Sequence, residues 1–298
     1  MSLSLVLAVG LAGACTSSSP VGQLDSTSAA AGWPGPTNTG VPPGTALTDY
    51  SGPCLITKAG AVIDGKTVNC DLEIHAANVM IKNSKVNGLV FSDVDLPNGK
   101  TWSFTLQDSE VDGGPVQRAV VSDGNLTVVR ANIYGGETGV HCSENALTCV
   151  VQDSWLHGQY LPPDQPWHLG GFQSNGGTNI VLSHNTIVCD HAANALGEGC
   201  TGDLNLIPDF APVSHVTIEN NFLGANIDGS YCTYGGEKST SPYPHADHVV
   251  YRNNTFERGV NRECGSYGPV TGFDVDGAGN EWIDNTWQDD GSAVVPEL

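Results

Sequence analysis

From Ala77 onward the apolar and polar positions of the chain recur in one six-residue pattern. An apolar residue is followed by a polar one, a turn-former, a small or polar residue, a variable one and a second apolar residue. The instances are residues 81–86, 106–111, 128–133, 151–156, 182–187, 218–223, 251–256 and 282–287. The alternation around each turn has period two, which predicts strands rather than helices. The fourth positions fall at 84, 109, 131, 154, 185, 221, 254 and 285, so the steps are 25, 22, 23, 31, 36, 33 and 31 residues. Coils of 22 to 25 residues with short strands and tight turns predict a solenoid, each strand pairing in parallel with its counterpart one coil away. The Asn or Asp at the third position is expected at the bend, its side chain bonding backbone of its own or the next coil. An earlier coil begins at residues 61–65.

The turns Asn83-Ser84, Asp108-Ser109, Asp153-Ser154, Asn220-Asn221, Asn253-Asn254 and Asp284-Asn285 carry a resemblance. Over residues 50 to 290 the chain resembles the right-handed parallel β-helix of pectate-lyase-like proteins, here of the secreted bacterial kind. The resemblance implies an all-β solenoid of about 9–10 coils, with the longer loops in the C-terminal half. A two-sheet sandwich is the alternative, and it leaves the regular recurrence of the turn unexplained.

Composition agrees with turns and strands: Gly 37 and Pro 17 among 298 residues. The formal charge of −21 excludes nucleic acid as the expected partner. It leaves neutral glycans open, and polyanions only through a cation or a local basic cluster. Calcium is the one cofactor left open, with Asp93 and Asp95 as acidic turn residues. No metal-ligating motif of fixed spacing occurs.

Residues 3–11 form an apolar run too short to span a bilayer, ending in Ala12-Gly13-Ala14-Cys15. That ending resembles a bacterial lipobox, with Ala12 where Leu is usual and no Lys or Arg ahead of the run. It implies cleavage before Cys15, lipidation of Cys15, and an extracellular protein held at the outer face of the cell membrane. The expected organisation is a signal peptide at 1–14, a Ser/Thr/Gly/Pro-rich tether at 15–45 and a solenoid domain at 46–298, with a monomer expected. Without Cys15, eight cysteines remain. Their chain order suggests local clasps, Cys54–Cys70, Cys142–Cys149, Cys189–Cys200 and Cys232–Cys264, among 105 pairings open in principle.

The last four steps insert aromatic and polar residues, and solenoid insertions gather at fixed edges and often build the binding face. Trp155, His157, Trp167, His168, Gln173, Tyr231 and Tyr234 are the expected substrate contacts, because aromatic planes stack on sugar rings. Roofing of the loops is the alternative role for the same aromatics. Arg118 and His141 each lie 13 residues before a fourth position, which predicts neighbouring rungs at one site, continued by Gln173 and Ser174 and then Asp203 and Asn205. In a lyase, Arg118 would neutralise a uronate carboxylate while His141 or Tyr160 acts as base or acid. Arg118, His141, Tyr160 and Asp203 are the candidate catalytic residues. Hydrolysis needs two carboxylates, for which Asp274 and Asp276 would share a strand face, with Asp203, Glu198 and Asp190 as other candidates. The polygalacturonase motifs are absent. Two functions therefore stand open: a carbohydrate-active enzyme on a polysaccharide, lyase ahead of glycosidase, or a non-catalytic glycan-binding or cell-surface module.

Overall fold

A computed structural model describes residues 32–226 and 228–298; the apolar run and Cys15 lie outside them. The chain winds through three parallel sheets in strict rotation. The first sheet has ten strands, from Thr48–Asp49 to Thr286–Trp287. The second has nine, from Leu55–Ile56 to Val270–Thr271, and the third has nine, from Val62–Asp64 to Glu281–Ile283. Every inter-strand pairing among the named strands is parallel, and one 3-10 turn, Gly99–Thr101, is the only helical element among the described residues. The fold is a right-handed parallel β-helix.

Its interior is built from columns of like residues, one per rung. In the first sheet Val68, Val86, Val111, Ile133, Leu156, Ile187, Leu223 and Phe256 stack in register. In the third, Ile63, Ile81, Leu106, Val128, Val151, Leu182, Ile218 and Tyr251 do the same. All sixteen are buried, and a buried aliphatic side chain contributes about 1.5–3 kcal/mol.

The bend between the third and first sheets divides labour in a way that differs from the sequence expectation. The third position of the repeat supplies the turn by backbone conformation alone: Asn83, Asp108, Arg130, Asp153, His184, Asn220, Asn253 and Asp284 all have φ between 47° and 56°. Asn and Asp tolerate this left-handed region well. The bonding to backbone amides of the neighbouring coil belongs to the fourth position, whose side chains point inward, while third-position side chains bond one another across coils, as Arg130 does to Asp108 and His184 to Asp153. Ser84, Ser109, Ser154, Asn185, Asn221, Asn254 and Asn285 are buried. Each asparagine Oδ1 accepts the fourth-position N–H of the coil before it: Ser154 to Asn185 at 2.9 Å, Asn185 to Asn221 at 2.9 Å, Asn221 to Asn254 at 2.9 Å and Asn254 to Asn285 at 3.0 Å. Serine Oγ does the same for Ser84 and Ala131, at 3.1 and 3.0 Å. This ladder satisfies amides that would otherwise be stranded in the core.

Coil lengths diverge at two corners, and from second to third sheet the gap grows from residues 123–124 to 143–148, 236–246 and 272–280. The connection from first to second sheet is short in early coils and becomes residues 157–168, 188–199, 224–232 and 257–269 in later ones. Disulfides join Cys54–Cys70, Cys142–Cys149, Cys189–Cys200 and Cys232–Cys264. The second closes the corner from second to third sheet, and the last two clasp the long loops.

Irregular chain packs along the flank of the solenoid and over its C-terminal end. Residues 33–40, expected within the tether, pack on the first-sheet side. The Trp33 ring lies 5.4 Å from that of His184 and 6.0 Å from Phe222, and the Gly40 N–H donates to Arg130 O at 2.9 Å. At the far end, residues 293–297 cross the last rung. Ala293 bridges Thr286 in antiparallel sense, Val294 N–H donates to Asn285 O at 2.9 Å, and Glu297 N–H donates to Val270 O at 3.2 Å. Trp282 Nε1–H closes the same end on Val294 O at 2.8 Å.

Candidate functional site

The outer face of the second sheet carries a cleft of about 210 Å³ lined by Arg118, Ala119, Ser122, Asp123, Glu137, Thr138, His141 and Gln173. Strands Ala119–Ser122, Thr138–Cys142 and Leu169–Ser174 form its floor. Ser122 pairs with His141, His141 with Gln173, and Gln173 with Asn205, so these four stand on consecutive rungs, about 4.8 Å apart.

Arg118 and His141 share the cleft, but not the column that equal spacing predicts. Because Ala119 pairs with Thr138, Arg118 stands beside Glu137. The count fails because residues 143–148, closed by Cys142–Cys149, widen one corner that the previous coil turns tightly. Arg118 rests on the Phe91 ring, its guanidinium carbon 4.4 Å from the centroid.

His141 Nδ1 lies 2.8 Å from Asp123 Oδ1. Ser122 Oγ donates to the other Asp123 oxygen at 2.9 Å. Burial works to raise the Asp123 pKa, but the His141 hydrogen bond and charge, the Ser122 donation and the Arg118 charge outweigh it and hold the carboxyl below its usual range. An ionised carboxylate only accepts, so Nδ1 carries the proton and, in the neutral ring, Nε2 keeps the lone pair. Asp123 escaped the sequence reading because Asp123-Gly124 is a turn pair like many others. Its φ of 67° makes it a turn residue in fact, and a partner 18 residues away gives no local signal. Glu137 escaped it too; its Oε1 accepts the His168 N–H at 3.1 Å.

The other expected site residues lie elsewhere. Tyr160 is outside the cleft lining, 41% exposed and edge-on to Trp167 at 6.1 Å. Trp167 is 9% exposed in a small core with Leu161, Leu169, Cys189 and Cys200, so it roofs its loop. Trp155, at 6% exposure, stacks on His157 with ring centroids 3.4 Å apart on the first-sheet side. Burial lowers the His157 pKa to about 4, and its Nε2 meets Asn132 Oδ1 at 2.8 Å. His168 is exposed, 3.9 Å from Glu198. Asp203 is wholly buried; burial raises its pKa well above 3.8, and one oxygen accepts the Cys189 N–H at 2.7 Å. Asp190 is likewise raised by burial. Asp274 and Asp276 sit in a turn, where the Asp274 carboxylate accepts the Asp276 N–H at 2.9 Å, rather than side by side on a strand.

Three rungs from His141, along the same sheet, Tyr231, Tyr234 and Tyr267 gather. Tyr234 pairs with Asn205, and the Tyr231 ring lies 5.8 Å from Tyr234 and 6.1 Å from Tyr267. Between them and the cleft, Asn205 folds over Gly170 and Gly202. A Cβ at either glycine would come 2.7 Å from an Asn205 amide atom, so a side chain there would push Asn205 aside.

The donor sets offer calcium little. Asp123 and Glu137 are both engaged, and Asp93 and Asp95 accept from Asp95 N–H and Asn145 Nδ2 at 2.9 Å each, whereas calcium asks for six to eight free oxygens.

No family model matches the chain, and no curated protein matches it. A solved structure, the A-module of mannuronan C-5 epimerase AlgE4 from Azotobacter vinelandii, is similar over 85% of this chain and 88% of its own, at 10% identity and a TM-score of 0.37. The fold assignment stands on the three ladders themselves.

Proposed function

We propose that this solenoid, pectate-lyase-like in architecture, acts on a polysaccharide at the second-sheet cleft, by proton abstraction next to a uronate carboxylate. The observation that carries the reading is the Asp123–His141 pair beside Arg118 in one cleft. Arg118 meets the substrate carboxylate and stabilises the enolate that develops on it. His141 Nε2 takes the adjacent proton, with Asp123 holding the ring and offsetting its new charge. Elimination then breaks the glycosidic C–O bond; the leaving oxygen gains a proton, and the new chain end carries a C=C bond. Glycoside hydrolysis is the less favoured chemistry, since Asp123 is committed to His141.

The test is a polysaccharide panel read for new reducing ends and unsaturated-uronate absorbance together. Both signals support elimination, and reducing ends alone mean hydrolysis. His141→Ala and Arg118→Ala should each lower turnover about 10²–10⁴-fold with folding intact. Unchanged turnover in both variants overturns the assignment.

One observation favours a second reading, a non-catalytic glycan-binding module. Tyr231, Tyr234 and Tyr267 offer aromatic surface without convergent ionisable groups. Glycan retention without turnover, lost on Tyr234→Ala but not on His141→Ala, would select it.

Four disulfides fit an oxidising compartment. We further propose an extracellular monomer anchored through lipidated Cys15. A Cys15→Ala variant that still sediments with membranes refutes the anchor.

A further inference from the structure

On the third sheet, away from the cleft, one position repeats on successive coils. Asn179, His215 and His248 have φ of 57°, 52° and 52°. Each is skipped by the ladder, flanked by the pairs Thr178–Ser214 and Ile180–Val216 on one rung and Ser214–Asp247 and Val216–Val249 on the next. Such a left-handed residue breaks the pleat, and all three side chains are exposed. The two imidazoles stack, ring centroids 4.5 Å apart and planes within 8°. Asp247 Oδ1 lies 2.7 Å from His248 Nδ1. His215, Asp247 and His248 each offer one ligand atom, and these atoms lie within 4.8 Å of one another. The coil beyond contributes Gly279, at φ 70°; a Cβ there would come 2.6 Å from His248 Cδ2. The missing side chain gives the His248 ring its room.

We propose that His215, Asp247 and His248 form a binding site for a divalent transition metal of the zinc class. Two imidazoles and one carboxylate are the donor set such ions prefer, and imidazole nitrogen disfavours calcium and magnesium. Both rings are exposed, so each can turn toward a shared ion without disturbing the core. The ion would tie the strands Val213–Glu219 and Asp247–Arg252 of adjacent coils by their side chains.

The test uses the full chain and Zn²⁺ as probe, by isothermal titration calorimetry and thermal melting. His215→Asn and His248→Asn suit it, because Asn179 shows that asparagine accepts this backbone conformation. The wild type should bind one Zn²⁺ and melt at a higher temperature with the ion. Each variant should lose about tenfold or more in affinity, and the double variant should lose the shift in melting. His191→Asn, at a half-buried position in a different loop, should bind as the wild type does. No binding by the wild type, or wild-type affinity in both single variants, overturns the proposal.

Discussion

Asn221→Ala tests the physical basis of the fold most directly. The Asn221 amide makes four bonds in the core. It accepts from the Asn185 N–H at 2.9 Å and Asn185 Nδ2 at 3.0 Å, and donates to Leu182 O at 2.9 Å and Asn254 Oδ1 at 3.1 Å. Two partners keep other bonds after truncation: Asn185 Nδ2 still reaches Val151 O, and Asn254 Oδ1 still accepts the Asn221 N–H. The Asn185 N–H is left without its acceptor, at about 1–3 kcal/mol for a stranded buried donor, and the Leu182 carbonyl loses a bond of about 1 kcal/mol. The variant should therefore be destabilised by about 2–4 kcal/mol. Asn221→Ser should lose only about 1 kcal/mol, because serine Oγ already accepts the preceding coil's N–H at Ser109 and Ser154. Equilibrium denaturant unfolding with the disulfides intact reads both. A loss under about 1 kcal/mol for Asn221→Ala, or a serine variant no better than the alanine one, would refute the ladder as a stabilising element.

Two further outcomes follow from buried polar chemistry. The ladder has one gap, since Ala131 offers no oxygen to the Ser109 N–H; Ala131→Ser should raise stability by about 1 kcal/mol in the same unfolding assay, and a fall would mean the site cannot hold the hydroxyl. Burial keeps the Asp203 pKa well above 3.8, so above pH 3.8 the unfolded chain releases a proton that the folded chain retains. Stability contributed by this group is therefore greatest below that pH and falls as pH rises toward the folded pKa. Asp203→Asn never ionises and keeps an oxygen for the Cys189 N–H, so as pH rises above 3.8 the wild type should lose stability relative to the variant. Parallel pH profiles would show that Asp203 titrates normally.

Period-two alternation and the recurring turn make the three-sheet coil legible, because each coil repeats the same inward-facing column. What the local pattern cannot assign is which of two adjacent polar residues turns inward. Asn83 and Ser84 are both turn-formers, and only packing makes the first a backbone bend and the second a core acceptor. Register fails for a similar reason: the 13-residue count places Arg118 level with His141, but the Cys142–Cys149 corner absorbs extra residues and sets Arg118 beside Glu137. Trp155, at the variable position of the repeat, and Trp167, in a loop, read as substrate contacts and turn out buried, since neither the repeat nor loop length says which way an indole faces. Asp123, which orients His141, comes from the coil before it, and only the fold brings the two together.

A parallel solenoid has no internal reason to stop, because each finished rung presents three rows of unpaired N–H and C=O groups to whatever comes next. Residues 293–297 answer that at the C-terminal face. They bond to Asn285 of the third-to-first-sheet bend, Thr286 of the first sheet and Val270 of the second, and they run antiparallel where they meet Thr286, so they close the rung without offering another of the same kind. The tail thus lies over the first- and second-sheet edges of the last rung, where a further coil would add. Shorn of it, the last coil would become a template for the first coil of another molecule, and the same repetition that builds one domain would build fibres.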